Sequence, residues 1–184
     1  LDYHWKTWLG FRFGRVRIPF GLYNEYIDID AGRDTILMPQ SVYPMSERLL
    51  LTSQTGGDVY GTIPIAKAGE LDYQIYGGVL SEPLTGPQDP ASTRLYSYDS
   101  KYVFGGTIFW HPPGEGLRVG ASILRASLDE NAAASPATTA QLIAAGLAPP
   151  TFDGDFVLTL KPAHLWIASA EYVRGDWTLA AEYS

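Results

Sequence analysis

The chain has 184 residues, 46% of them hydrophobic and 18% charged, a composition that supports a folded domain and excludes intrinsic disorder. A formal net charge of −7 excludes a nucleic-acid partner, because phosphate binding needs a basic surface. With no cysteine there are no disulfides, thiolate metal sites or cysteine nucleophiles.

Period-2 alternation of apolar and polar residues recurs along the chain, and helical periodicity is scarce. A first strand is expected near Trp8–Ile18 and a second near Asp58–Ile65, separated by a long loop over 19–57. In the third, Leu71, Tyr73, Ile75, Gly77 and Val79 share one face, and Asp72, Gln74, Tyr76 and Gly78 share the other. A second long loop covers 81–100. Tyr102, Phe104, Gly106, Ile108 and Trp110 then alternate with polar or small positions, and Leu117, Val119, Ala121 and Ile123 alternate with Arg118, Gly120, Ser122 and Leu124. A third long loop spans 128–154. Inside it, SPATTAQLIAAG reads as a short helix with Ser135 as N-cap, Pro136 in the first turn and Gly146 as its stop. Trp166–Tyr172 and Trp177–Tyr183 complete about seven strands.

The links between strands carry as much information as the strands. Short links (AKAGE, HPPGEG and RGD) alternate with the long ones. This is the order of an up-and-down transmembrane β-barrel, whose periplasmic turns are short and outer loops long. It places hairpins near Ala68, Pro113 and Gly175 on one side of the sheet. Trp110, Tyr172 and Trp177 flank those turns, with Trp5 and Trp8 at the same side. Tyr96, Tyr98 and Tyr102 cluster at the opposite ends, as two interfacial aromatic bands require. No apolar run reaches the roughly 18 residues of a spanning helix. The chain opens without a basic or apolar leader and ends inside a strand pattern, so it reads as an internal fragment of a longer protein, forming one β-barrel domain over 1–184.

The order of motifs also resembles a family. GRVRIPFGLYN (Gly14–Asn24), PQSVYP (Pro39–Pro44) and GGDVYG (Gly56–Gly61) are similar to segments of proteobacterial porin-type outer-membrane proteins. GLRVGASILR (Gly116–Arg125) and EYVRGDWTLAAEY (Glu171–Tyr183) resemble recurring hairpins of that group, and RIPFG is more loosely similar to a strand end of phosphate-selective porins. The resemblance implies a barrel of about sixteen strands, here present as a partial barrel or curved sheet.

The expected function is passive diffusion of small hydrophilic solutes through the bacterial outer membrane, with surrounding lipid as partner, a homo-oligomer as a possible assembly, and no cofactor or enzymatic activity. Arg12, Arg15, Arg17, Asp72, Gln74, Thr107, Arg118, Ser122, Glu171 and Glu182 are the expected pore-lining residues. Strict alternation sets Arg15 and Arg17 beside Phe11 and Phe13, facing lipid, at a cost of about 2–4 kcal/mol each at mid-membrane. A bulge at Gly14 would bring all three arginines to the lumen, where they would favour anions. The alternative leaves Arg15 and Arg17 at the outer rim, reaching headgroups.

Other chemistry is weaker. Asp28, Asp30, Gly32 and Asp34 match the start of a calcium loop but lack its distal glutamate, and solvated loop acids are the better explanation. His4, His111 and His164 have no short-range partner of the kind zinc sites use. Glu171 and Glu182 share a face of adjacent strands; a glycosidase pair could be so arranged, but with no cleft or further partner evident a wet barrel wall is the better reading. No nucleophile elbow, Walker motif or dinucleotide fingerprint is present. The rival reading is a soluble β-sandwich module that binds carbohydrate or protein, which would share the strand pattern.

Overall fold

A computed structural model describes residues 1–24, 52–80, 93–159 and 162–184. The protein is all-β, built on one antiparallel sheet of nine strands. The strands are β1 (Asp2–Lys6), β2 (Leu9–Arg17), β3 (Ser53–Pro64), β4 (Glu70–Leu80), β5 (Thr93–His111), β6 (Leu117–Ala134), β7 (Asp155–Thr159), β8 (Ala163–Arg174) and β9 (Trp177–Tyr183). Eight of them follow sequence order from β1 to β9, and β7 pairs the far half of β6 beyond β8. The sheet is open, with β1 and β9 as its edges.

Because neighbours pair antiparallel in chain order, the turns at Thr7–Trp8, 65–69, 112–116 and 175–176 all fall on one side. They also touch. The Val173 amide donates to the Gly116 carbonyl at 2.8 Å, and the Trp110 indole donates to the Ala68 carbonyl at 2.7 Å. The hairpins near Ala68, Pro113 and Gly175 therefore lie together as expected. Left-handed glycines make the tight links possible: Gly69 (φ 93°), Gly116 (φ 84°) and Gly175 (φ 58°) hold a conformation that side chains resist.

The strands are staggered. One hydrogen-bonded row runs Gly10, Tyr60, Gln74, Thr107, Ser122, Ile167 across the sheet. At Gly10 this row lies next to its turn, whereas β3 continues from Tyr60 to Pro64 and β8 from Ile167 to Arg174 before turning. A progressive offset of this kind is the shear that tilted barrel strands require.

Two strands were not legible from alternation. β1 is the short aromatic run DYHWK, and β7 is DFVLT. The long-loop boundaries also shift. β3 begins at Ser53, β5 at Thr93, and β6 continues to Ala134. The added part of β6, LDENAAA, is strand without large apolar alternation and is held through its backbone pairing with β5 and β7, with Ala132 buried between them. Bulges in the β5–β6 ladder at Leu95/Ser97 and Ser100/Tyr102 mark where the regular, alternating part ends. Helix α1 (Pro136–Ala144) forms as expected, with the Ser135 hydroxyl accepting from the Thr138 amide at 3.2 Å and Gly146 left-handed after it.

The two faces differ sharply. One carries Phe13, Ile63, Ile75, Val79, Phe104, Ile108, Leu117, Ile123 and Leu179, all exposed. Ile75 and Ile123 are each 62% exposed in mid-strand. The other face carries the buried Gln54, Asp58, Gln74, Ser122 and Ser169. The core also lies on this polar side. After β2, Pro19 cannot extend the ladder, and Gly21 (φ 69°) lets the chain fold back over the sheet. Ile18, Phe20, Leu22 and Tyr23 then pack on Tyr76, Val103, Leu124, Ala126 and Ile167. Each such apolar side chain contributes roughly 1.5–3 kcal/mol when fully buried.

Candidate functional site

The polar face is a wall of matched charges. Arg12 and Asp58 pair directly across β2 and β3. The guanidinium grips both carboxylate oxygens, Nε to Oδ1 at 3.1 Å and Nη2 to Oδ2 at 3.0 Å. Gln74 on β4 donates to Asp58 Oδ2 at 2.6 Å, and the Arg12 guanidinium lies 4.6 Å from the centre of the Tyr60 ring. The Asp58 side chain is fully buried, so its charge depends on these partners.

Nearer the turns, Asp72 accepts from the Thr62 hydroxyl at 2.6 Å and lies 2.8 Å from His111 Nε2. Across β6 and β8, Arg118 pairs with Glu171 at 3.0 Å and covers the Phe109 ring at 5.1 Å. Glu182 on β9 accepts from the Ser169 hydroxyl at 3.0 Å and from the Leu22 amide at 2.8 Å. Ser122 accepts from the Gly21 amide at 3.0 Å. The in-folded segment thus spends its backbone donors on side chains of the wall, as a segment outside a ladder must. The Asn24 amide closes the turn onto the Ile18 carbonyl at 2.8 Å.

Of the ten expected lining residues, Arg12, Asp72, Gln74, Thr107, Arg118, Ser122, Glu171 and Glu182 share this face by register. Arg15 and Arg17 do not, and the expected bulge at Gly14 is overturned. Phe13 pairs with Gly57, Gly14 with Gly56 and Arg15 with Thr55 without a shift. Gly14 takes an unusual φ of 117°, yet the ladder keeps its register. Val16, not Arg15, turns inward and is buried. Arg15 and Arg17 therefore stand on the apolar face, with Arg15 Nε donating to Ser53 Oγ at 3.1 Å. Both lie at the end of the face away from the turns.

The segment Ile18–Asn24 is the part of this site that alternation did not find. Its signal was present as large apolar residues, Tyr76 and Leu124, at positions of the polar face. Glu171 and Glu182 are each held by a partner, Arg118 in one case and Ser169 with the Leu22 amide in the other, and do not face one another across an open cleft. Among the described residues no cluster of histidine and carboxylates could hold a metal. The calcium-like run Asp28–Asp34 and the apolar pieces Ile36–Pro39 and Ser41–Pro44 lie outside the described residues, as do the side chains of Tyr96 and Tyr98.

At the turn end, Trp5 closes β1, Trp8 sits in the first turn, and Trp110, Tyr172 and Trp177 stand beside the later turns. Trp177 is 76% exposed. Among the described residues no helix is long and apolar enough to cross a membrane, a test that does not bear on strands. No protein-family model, curated protein or solved structure matches the chain.

Proposed function

We propose that this sheet is part of an outer-membrane β-barrel whose polar face lines a water-filled pore for passive diffusion of small hydrophilic solutes. The observation that carries this reading is the inversion of the two faces. A row of apolar side chains stands exposed across β2 to β9, while buried charges and amides line the opposite side. A water-soluble sheet hides its apolar face; a barrel wall turns it to lipid and keeps polar groups inside. The stagger of the turns and the aromatic row beside them support the same reading. In it, the open edges β1 and β9 are closed by further strands, and the segment Ile18–Asn24 lies against the lumen wall and narrows the passage.

The wall also bears on selectivity. Asp2, Asp58, Glu70, Asp72, Glu171 and Glu182 share this face with Arg12 and Arg118, an acidic excess. With Arg15 and Arg17 on the other face, the basis for an anion preference is gone, and the wall favours cations. Reconstitution of the full-length protein into planar lipid bilayers tests the proposal. Stepwise conductance increases with a cation-to-anion permeability ratio above one are expected. A protein that stays soluble without detergent and adds no conductance overturns it in favour of the soluble sandwich.

A further inference from the structure

We infer that Arg125, at the end of the apolar face away from the tight turns, is the anchor of a binding site for the phosphate groups of an anionic lipid headgroup. The inference rests on the membrane reading above. Arg125 pairs with Phe104 on β5 and His164 on β8, so it belongs to the face that carries Ile123, Trp166 and Ile108. Its guanidinium lies 5.9 Å from the centre of the Phe104 ring, and Tyr102 stacks on that ring at 5.7 Å. Arg125 Nε is buried and has no hydrogen-bond partner, and Arg125 forms no ion pair with any described residue. A cation held on an aromatic shelf with donors still unmatched is a site for an anion.

The height of the residue fits. From Leu117 beside the turns to Arg125 is eight residues along β6, about 27 Å at strand rise and roughly 20 Å after tilt. That is close to the height of a barrel's lipid-facing band, so Arg125 stands at the boundary and not in the hydrocarbon. The charge of the face fits as well. Between the turns and Arg125, the described residues put no carboxylate on it. Its next acid beyond, Asp129, is already held by Lys101 at 2.9 Å. Arg15 and Arg17 add positive charge to the same end of the same face. This is the end of the long connections, hence in the proposed barrel the outer leaflet, where the headgroups of a phosphorylated glycolipid would meet it. The planar guanidinium takes a phosphate through two parallel hydrogen bonds, and His164, directly opposite, adds a third donor.

The test uses the full-length protein in detergent, with bis-phosphorylated lipid A and fully dephosphorylated lipid A as probes, read by native mass spectrometry. Wild type is expected to retain the phosphorylated lipid over the dephosphorylated one. Arg125→Gln should weaken retention about tenfold, the equivalent of one charge-assisted hydrogen bond, and Arg125→Lys should restore part of it. Equal retention of the two lipids, or equal retention by wild type and Arg125→Gln, overturns the site. Single-channel conductance of the same preparations separates this outcome from failure of the pore reading. Conductance that persists in wild type and R125Q while lipid retention is unchanged overturns the headgroup site alone. A wild type that adds no conductance overturns the membrane reading and the site with it.

Discussion

Tyr76 on β4 lies over Gly105, its direct partner on β5, with the ring occupying the space a side chain would need. The same relationship recurs where Tyr60 covers Gly10, Phe109 covers Gly120 and Phe13 covers Gly57, each aromatic paired across the ladder with a glycine. A glycine in mid-strand lowers local stability, and a cross-strand aromatic ring restores contact by covering the bare backbone. The pairing explains why glycines are tolerated in the strands of this protein, and it fixes where each ring lies.

Gly105→Val should therefore destabilise the protein. A Cβ there would press on the Ile123 carbonyl oxygen of β6 and sit 2.5 Å from the Tyr76 hydroxyl and 2.8 Å from its Cζ, forcing the strands apart and a ring that is only 3% exposed out of its packing with Ile18 and Val103. Overpacking of this kind costs about 1–3 kcal/mol. Urea unfolding of the detergent-folded full-length protein, followed by tyrosine and tryptophan fluorescence, should show a lower midpoint. An unchanged midpoint would mean that Tyr76 does not occupy this position.

Asp58→Ala should cost more, about 3 kcal/mol, because it removes the two contacts Arg12 makes with the carboxylate and one hydrogen bond of Gln74. Removing both charges, Arg12→Gln with Asp58→Asn, should recover part of that loss, since the guanidinium that Asp58 faces is then removed with it. A double variant as unstable as the sum of its single variants would show that the two residues do not interact.

Much of the sheet was legible because successive side chains of a strand point to opposite faces, and the apolar–polar alternation that results is what a sequence displays. The strands around Leu71–Leu80 and Tyr102–Trp110, the turns near Ala68, Pro113 and Gly175, and the shared face of Asp72, Gln74, Arg118 and Glu171 all follow from it. The far halves of β5 and β6 were not legible, because LDENAAA pairs through its backbone without large apolar alternation. The arginines show the opposite failure. Strict alternation placed Arg15 and Arg17 correctly, and the midplane cost used to argue for a bulge does not apply to residues near the end of a strand. The wall's inner contact with Ile18–Asn24 depends on hydrogen bonds between residues more than a hundred positions apart, such as Gly21 to Ser122, which no local pattern encodes.

A pH effect is expected at the end of the sheet beyond the apolar band. The hydrogen bond from Lys101 holds the Asp129 carboxyl below its ordinary value of about 4, against the opposing influence of burial and with a lesser contribution from Thr159. A depressed folded-state value means the contribution to stability is present above the unfolded aspartate's value and is lost as pH falls through the folded one. Lys101→Met should thus speed backbone amide exchange around Ser100 and Leu128 relative to wild type near neutral pH. The difference should vanish once the pH is well below 4. A difference that persists in acid would show that Lys101 acts there by packing and not by charge.

The division of charge between the faces makes the sharpest test of the pore. On the polar face, which would line the proposed pore, Arg12 is matched by Asp58 and Arg118 by Glu171, so these pairs would cancel as seen by a passing ion. Asp2, Glu70, Asp72 and Glu182 are left on that face, with Asp2 accepting from the Tyr60 hydroxyl, Asp72 tied to a hydroxyl and His111, and Glu182 to a hydroxyl and a backbone amide. Asp72 is the better position to alter, because Glu182 also holds the in-folded segment through the Leu22 amide. Asp72→Asn should lower the cation-to-anion permeability ratio of the reconstituted full-length protein, with a larger change at low salt, where fixed charges are less screened. Arg15→Gln with Arg17→Gln should leave the ratio unchanged, since both residues stand on the opposite face. If the arginine variants shift the ratio and Asp72→Asn does not, the faces are assigned the wrong way round, and the apolar face cannot be the one that meets lipid.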